Sequence, residues 1–449
     1  MLHDECEGNP FFIREVLNNL VETGKLVQRD GVWVGTVASM EEMGIPEGIK
    51  EVIGRRLSRL SDACNLMLGR ASAMTGGFTW DELRAICDEP EDGLLDALDE
   101  ALGAQLIAER ERNTYAFTNA LIRATLYDEL STPRRVQLHR RIAEALERLY
   151  ARRIDEHLPE LAHHFFEAAS GGDLEKAIDY CMRASDAALA AIAYEDAVRH
   201  LERALSLTEL TDDPGEAFRC RLLLQLGDAQ ARTGNLGRSD LAFDRAGQLA
   251  LSFSRNDMLV HAALGAQLFA HGTGSVNVAL LKAALDRLEP GDSIVRARCM
   301  ARLSPAFAQD ARGAELARGA VAMAERLGDK ASLMHALASL HRHLFLVVPD
   351  RVQDRIEVAS RILAVAEEVG DREMALVSGH CNLQGDLIHL GEMKAADVHI
   401  AAHARLSEEL RQGAQQGHTL PCRPCARSSA GSTPAPITWL GPHLNFAAR

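Results

Sequence analysis

Long apolar runs are absent: no stretch of the 449 residues approaches the roughly eighteen uninterrupted apolar positions that a membrane helix needs. The opening, Met1 to Glu7, is acidic and polar, which excludes a signal peptide there and makes the cytoplasm the expected location. The nine cysteines are then expected as free, mostly buried thiols in a reducing compartment. Aromatic residues amount to only 5%, too few for the ring-rich cores of β-sandwiches, while alanine and leucine recur throughout, an economy of packed helices. Positive charge is short as well. A formal charge of −15 argues against a nucleic-acid binder that works through its overall field. With 47% apolar and 25% charged residues, the chain is neither disordered throughout, nor a fibre, nor a small disulfide scaffold. Its length is too great for one ordinary core, so two to four domains are expected.

Residues 1–45 read as the end of a larger unit. Gly8, Asn9 and Pro10 form a turn before an apolar helical stripe at Phe12, Val16, Leu17 and Leu20 that closes at Gly24. Two short apolar runs then flank Asp30 and Gly31, a strong hairpin signal. Residues 46–131 predict four helices and a second hairpin. Pro46 opens the first helix, Ser61 caps the second, Thr79 caps a short third, and Pro90 opens the fourth to Leu102. Strands over 105–110 and 114–118 follow, about a polar turn at 111–113. Helices followed by such a hairpin are in winged-helix order. Residues 132–156 read as a linker helix with a basic outer face.

From 157 to 411 the pattern is helix after helix, with an internal repeat. The segment Ala322 to Asp329 (AMAERLGD) returns as Ala364 to Asp371 (AVAEEVGD), a period of 42. Ala197, Leu201 and Ala204 return at the same period as Ser239, Phe243 and Ala246. Leu226, Gly227, Gly234, Phe243 and Ala246 fall at tetratricopeptide spacings, and Leu383, Gly391, Ala396 and Ile400 make a partial match. Small residues let paired helices approach and large ones fill the groove between pairs. This predicts an α-solenoid of long, degenerate tetratricopeptide-like repeats. The segment 412–449 differs abruptly. It holds none of the 64 acidic residues and five of the fourteen prolines. Two readings fit it: a disordered Pro/Ser-rich tail, or translation in a wrong frame after a coding disruption near Arg411.

Chemistry is sparse. A phosphate-binding loop needs Gly-x-x-x-x-Gly-Lys-Ser/Thr after a strand, and the sole Gly-Lys pair, Gly24–Lys25, precedes Leu26 and lacks the first glycine. No apolar strand ends in paired acids. His399 and His403 lie one helical turn apart, but Ile400 stands where a metalloprotease would need glutamate and no third ligand is identifiable. His163 and His164 sit on an apolar helix and read as interior packing. Cys422 and Cys425 form half a zinc ribbon without its other half. No metal site and no catalytic residue is assigned. The fourth helix carries Glu91, Asp92, Asp96, Asp99 and Glu100, which would repel DNA phosphates.

Two stretches carry a resemblance. Glu7 to Leu17 (EGNPFFIREVL), then Tyr115 to Tyr127 (YAFTNALIRATLY) with the following Arg134, Arg135 and Leu138 to Arg141, resemble bacterial signal-transduction ATPases with numerous domains (STAND proteins). Their order is P-loop ATPase, helical lid, winged helix, then tetratricopeptide-like repeats. The match covers residues 1 to about 411 and enters that architecture part-way through. The resemblance implies a nucleotide contact at Pro10 within the turn Gly8–Asn9–Pro10. It also places Asn119 where related ATPases carry a phosphate-sensing histidine. Asparagine cannot carry the positive charge, and as an alternative Asn119 caps the helix that begins there.

The expectation is therefore an all-α protein with a lid remnant (1–45), a winged-helix-like domain (46–131), a linker helix (132–156) and a solenoid (157–411). It would serve as a regulatory or sensor fragment of a STAND ATPase and would not itself be an enzyme. No cofactor is expected in this chain, ATP belonging to the intact parent by resemblance. Expected partners are proteins or ligands held by the solenoid and an upstream ATPase module, with no membrane and no nucleic acid bound through the winged helix. The alternative is an ATP-binding transcriptional regulator or cyclase-associated ATPase whose catalytic and effector domains lie outside the chain.

Overall fold

The computed structural model describes residues 47–410, apart from 112, 212–214, 254, 266–276 and 308–310, together with Leu17, Leu20 and the strands β1 (Leu26–Arg29) and β2 (Val32–Gly35). These two strands pair antiparallel, Leu26 opposite Gly35 and Arg29 opposite Val32, on either side of Asp30 and Gly31. The remainder is overwhelmingly helical and divides into two compact units. One comprises residues up to Ile192 with Arg199–Asp212, the other Ala193–Val198 with the chain from Asp213 onward.

In the first unit, α1 (Glu47–Leu57) and α2 (Asp62–Ala71) precede a two-residue strand β3 (Phe78–Thr79), then come α3 (Trp80–Ile86), α4 (Glu91–Gly103), β4 (Ile107–Glu111) and β5 (Thr114–Phe117). The three strands form one antiparallel sheet in the order β3-β5-β4. Local chemistry sets the helix starts. The Ser61 hydroxyl accepts from the Cys64 N–H at 3.1 Å. Thr79 and Glu82 close a reciprocal capping box: Glu82 N–H donates to Thr79 Oγ1 and Thr79 N–H to Glu82 Oε2. Gly77 has φ +95°, and a Cβ there would come within 2.8 Å of the Tyr115 carbonyl, so only glycine lets the chain pass β5 so closely. Met67, Leu68, Phe78, Leu83, Ile86 and Leu106 fill the core. Asp92, Asp96 and Asp99 of α4 point to solvent. Three more helices, α5 (Ala120–Asp128), α6 (Thr132–Leu149) and α7 (Leu158–Glu167), lead to α8 (Leu174–Ala190). The basic face of α6 is partly engaged: Arg141 pairs with Asp88, and Arg135 donates to the carbonyls of Leu130 and Asp128.

The division between the units falls within α9 (Tyr194–Thr208). The second unit runs as successive helices, each packed against the next: α10 (Glu216–Arg232), α11 (Leu236–Ser252), α12 (Asn256–Leu264), α13 (Val278–Arg287), α14 (Ile294–Leu303), α15 (Ala311–Leu327), α16 (Lys330–Val347) and α17 (Val352–Val369). A short turn at Arg372–Met374 passes through a π-helical segment, Ala375–His380, into α18 (Cys381–Leu390), and α19 (Met393–Glu409) follows. The 42-residue repeat has a structural meaning. Gly328 (φ +67°) and Gly370 (φ +74°) each end a helix in the left-handed conformation. The aspartate after each caps the next segment: Asp329 accepts from Ser332 N–H at 2.8 Å, and Asp371 from Met374 N–H at 2.9 Å. The Gly227 and Phe243 positions also meet. A Cβ on Gly227 would lie 2.8–3.0 Å from the Phe243 ring, and Ser239 Oγ donates to the Gly227 carbonyl at 2.8 Å. Ala396, Leu383 and Leu387 pack with Ala359 in a further buried cluster. These are stacked helix pairs, an α-helical repeat.

Candidate functional site

Of the positions the resemblance assigns to nucleotide, Gly8, Asn9 and Pro10 lie outside the described residues. So do Cys422, Cys425 and the whole segment 412–449. Asn119 is the N-cap of α5: its Oδ1 accepts from Leu121 N–H at 2.8 Å, and the residue is nearly buried.

The densest gathering of chemically able side chains lies elsewhere in the first unit, where α5, α6 and α7 supply Tyr127, His139, His163 and His164. Pro133 opens α6 and Pro159 opens α7, each at a position where the missing N–H costs nothing. Along α6 the buried residues Leu138, His139, Ile142, Ala145 and Leu146 follow helical spacing, which sets His139 on the apolar stripe. Along α7 the buried face includes Leu161, His164 and Phe165, with His163 half-buried beside it. The two stripes bring His139 Nδ1 within 2.8 Å of His164 Nδ1. Tyr127 Oη stands 2.8 Å from His139 Nε2, and the Arg135 guanidinium covers the Tyr127 ring at 4.6 Å. Ring centroids are 5.5 Å apart for His139 and His163, 5.0 Å for His139 and His164, and 5.1 Å for His163 and His164.

Burial pushes the His139 imidazole down to about 3, helped by His163 and Arg135. Burial also lowers His163 to about 4, with Arg203, Arg123 and Arg199 adding to the effect. His164 is held well below the ordinary histidine range, again chiefly by burial. At neutral pH all three rings are uncharged and keep a lone pair. An Nδ1–Nδ1 hydrogen bond requires opposite tautomers at the two facing atoms. Where Tyr127 donates to His139 Nε2, His139 Nδ1–H donates to His164. Where His164 Nδ1–H donates instead, His139 Nε2–H donates to the tyrosine oxygen.

Two other buried polar groups lie in the second unit. His380 Nδ1 is 2.9 Å from His399 Nδ1, and His403, one turn on from His399, is fully buried. The third histidine near the His399–His403 pair therefore comes from the π-helical segment, which sequence periodicity did not reveal. Among the described residues, the group of three or more potential metal ligands whose donor atoms all lie within 4.8 Å of one another is His139, His163 and His164. The second group is ionic. Asp386 accepts at 2.7 Å from His341 and lies 2.9 Å from Arg355 Nε, whose N–H is not aimed along that line. Arg355 also reaches the Pro349 carbonyl and His389 Nδ1.

Sequence reasoning placed His163 and His164 in the interior but read His139 only within Leu138 to Arg141, part of the stretch that carries the family resemblance. The available signal was its place on the stripe of Leu138, Ile142 and Leu146.

No protein-family model matches the chain, and a comparison with curated proteins finds no match. Solved structures similar to it include a STAND protein with a tetratricopeptide repeat sensor from Pyrococcus horikoshii. That likeness has 10% identity and a TM-score of 0.35, covering 95% of this chain and 68% of that one. Aspartyl phosphate phosphatase F from Bacillus subtilis is similar at 12% identity and a TM-score of 0.33, over 88% of this chain and 82% of that one. The Rap conjugation gene regulator of plasmid pLS20, solved with the Phr* peptide, is similar at 12% identity and a TM-score of 0.30, over 80% and 97%. All three likenesses are distant. Among the described residues no helix is long and apolar enough to cross a membrane.

Proposed function

We propose that this chain is the regulatory part of a signal-transducing STAND ATPase, with a winged helix within 46–131 and a tetratricopeptide-like repeat over 157–411 that recognises a protein or ligand. The observation that carries this reading is the order of elements. Helix, short strand, two helices and a hairpin, α2 to β5, come ahead of stacked helix pairs and follow the motif stretch Glu7 to Leu17, in the order the family resemblance implies. In this reading the winged helix does not bind DNA. Its fourth helix exposes Asp92, Asp96 and Asp99, a face that opposes DNA phosphates.

The chain itself does not hydrolyse ATP. Hydrolysis needs the β and γ phosphates positioned and Mg²⁺ held, and neither a glycine–lysine loop nor a strand-end acid pair occurs in the sequence. Pro10 and Asn119 alone would leave the triphosphate unheld, so ATP affinity should be weaker than roughly 1 mM. Calorimetry with Mg-ATP on the isolated chain tests this. A micromolar isotherm abolished by Pro10→Ala would overturn it. The regulatory role is tested on the polypeptide read through the DNA upstream of Met1. If it encodes a P-loop module, the ATPase rate of the joined protein should change when residues 157–411 are removed. An unchanged rate, or an upstream frame without a P-loop, refutes the assignment.

A further inference from the structure

We propose that His139, His163 and His164 form a binding site for one divalent transition-metal ion of the zinc type, oriented by Tyr127. This goes beyond the regulatory reading and stands whether or not that reading holds. The geometry is nearly assembled. Around a tetrahedral ion with metal–nitrogen bonds of about 2.0–2.1 Å, ligating nitrogens lie about 3.3 Å apart and imidazole centroids about 5 Å apart. The three centroids already stand at 5.0–5.5 Å. The nitrogens all lie within 4.8 Å of one another, and the closest pair, His139 Nδ1 and His164 Nδ1, at 2.8 Å. Seating an ion requires that pair to part by about half an ångström and His163 to swing inward. Adjacent helical residues diverge by about 100° around the axis, so His163 and His164 reach the ion from two sides while His139 closes from α6.

A second, independent feature is the support behind His139. A metal-bound imidazole usually has its other ring nitrogen held by a hydrogen-bond partner, which fixes tautomer and orientation. Tyr127 Oη occupies that position, 2.8 Å from His139 Nε2, and its ring is pinned beneath Arg135. The proton balance closes without an added base. With the ion on both Nδ1 atoms, His139 carries its proton on Nε2 and donates it to the tyrosine oxygen, and His164 carries its own on Nε2. The ring that held the Nδ1 proton changes tautomer, and no proton is lost.

The donor set selects the class of ion. Three neutral nitrogens suit zinc, cobalt, nickel or copper, whereas magnesium and calcium demand oxygen donors. Besides the histidines His163 and His200, the charges that act on His139 and His163 come from Arg135, Arg123, Arg199 and Arg203, all positive, so the lone pairs supply the attraction. His163, half-buried where its two companions are buried, gives the ion its way in, and water would take the fourth position.

The test is titration of the full-length chain, cleared of metal by a chelator, with Co²⁺. One equivalent should produce the visible absorption of a tetrahedral cobalt–nitrogen site, Zn²⁺ should abolish it, and Mg²⁺ should not. H163Q, at the half-buried position least able to disturb folding, should remove the band while leaving the far-ultraviolet dichroism unchanged. Y127F should weaken cobalt binding about tenfold, and H399Q should leave it unaltered. Absence of the band, a thiolate-to-cobalt charge-transfer band in its place, or a band that survives H163Q would each overturn the proposal.

Discussion

Replacing Gly227 with alanine should destabilise the second unit, although alanine is the better helix former. The structure sets two opposed effects at this position. Gly227 lies inside α10, where glycine to alanine by itself stabilises by about 0.5–1 kcal/mol. Against this, the new Cβ would stand 2.8, 2.9 and 3.0 Å from the Cζ, Cε1 and Cδ1 atoms of Phe243. Carbon pairs are most favourable at about 3.5–4.0 Å, so the ring must retreat by about 0.7 Å. Phe243 is only 3% exposed, and the Ser239 hydrogen bond to the Gly227 carbonyl ties α11 to α10. Overpacking of such a contact costs about 1–3 kcal/mol. The expected net loss is about 0.5–2 kcal/mol, and Gly227→Leu should lose more.

Gly385, inside α18, meets nothing within 4 Å, so Gly385→Ala should stabilise the same unit by about 0.5–1 kcal/mol. Urea unfolding followed by circular dichroism compares the midpoints, and amide exchange of α10 and α11 locates the effect should the repeats melt in steps. Adding Phe243→Leu should relieve the clash, so that the two penalties combine to less than their sum. A stabilising Gly227→Ala, or strictly additive penalties, would refute the close helix approach on which the repeat assignment rests.

Asp386→Asn should cost about 3–5 kcal/mol, because it leaves the fully buried Arg355 guanidinium without its carboxylate. Glu325→Ala, which breaks the half-exposed pair with Arg361, should cost no more than about 1 kcal/mol in the same denaturation experiment. Asn119→Ala should destabilise the first unit by about 1 kcal/mol through loss of the α5 cap, and serine should restore most of it, as thermal melting can show. Partial burial, with Glu82 nearby, raises the Glu160 carboxyl from 4.5 to about 7, although about a third of its side chain stays exposed and His157 Nδ1 lies 3.6 Å away. Its protonated form is therefore favoured by folding: the contribution is fully present below pH 4.5 and is lost as pH rises toward 7. The stability of the natural chain relative to Glu160→Gln should fall across that window and level off above it. A flat difference from pH 4 to 8 would contradict the partial burial of this carboxyl.

Local chemistry was legible in the sequence because neighbours in the chain decide it. The strands about Asp30 and Gly31, the caps at Ser61 and Thr79, and the breaks at Gly328–Asp329 and Gly370–Asp371 each depend on a few adjacent residues and their backbone preferences. The Gly227–Phe243 contact was legible for a related reason, since paired helices of fixed length bring residues at a fixed separation together. Tertiary structure alone decided what converges across longer distances. His139 and His164 stand 25 residues apart, and Arg355 and Asp386 stand 31 apart. Whether such residues touch depends on how neighbouring helices rotate and cross. Hydrophobic periodicity marks the buried stripe of each helix but not which residue of the next stripe it faces. The same limit hid His380, because the π-helical turn at Ala375–His380 changes the register by which it meets His399, and no local preference announces that turn.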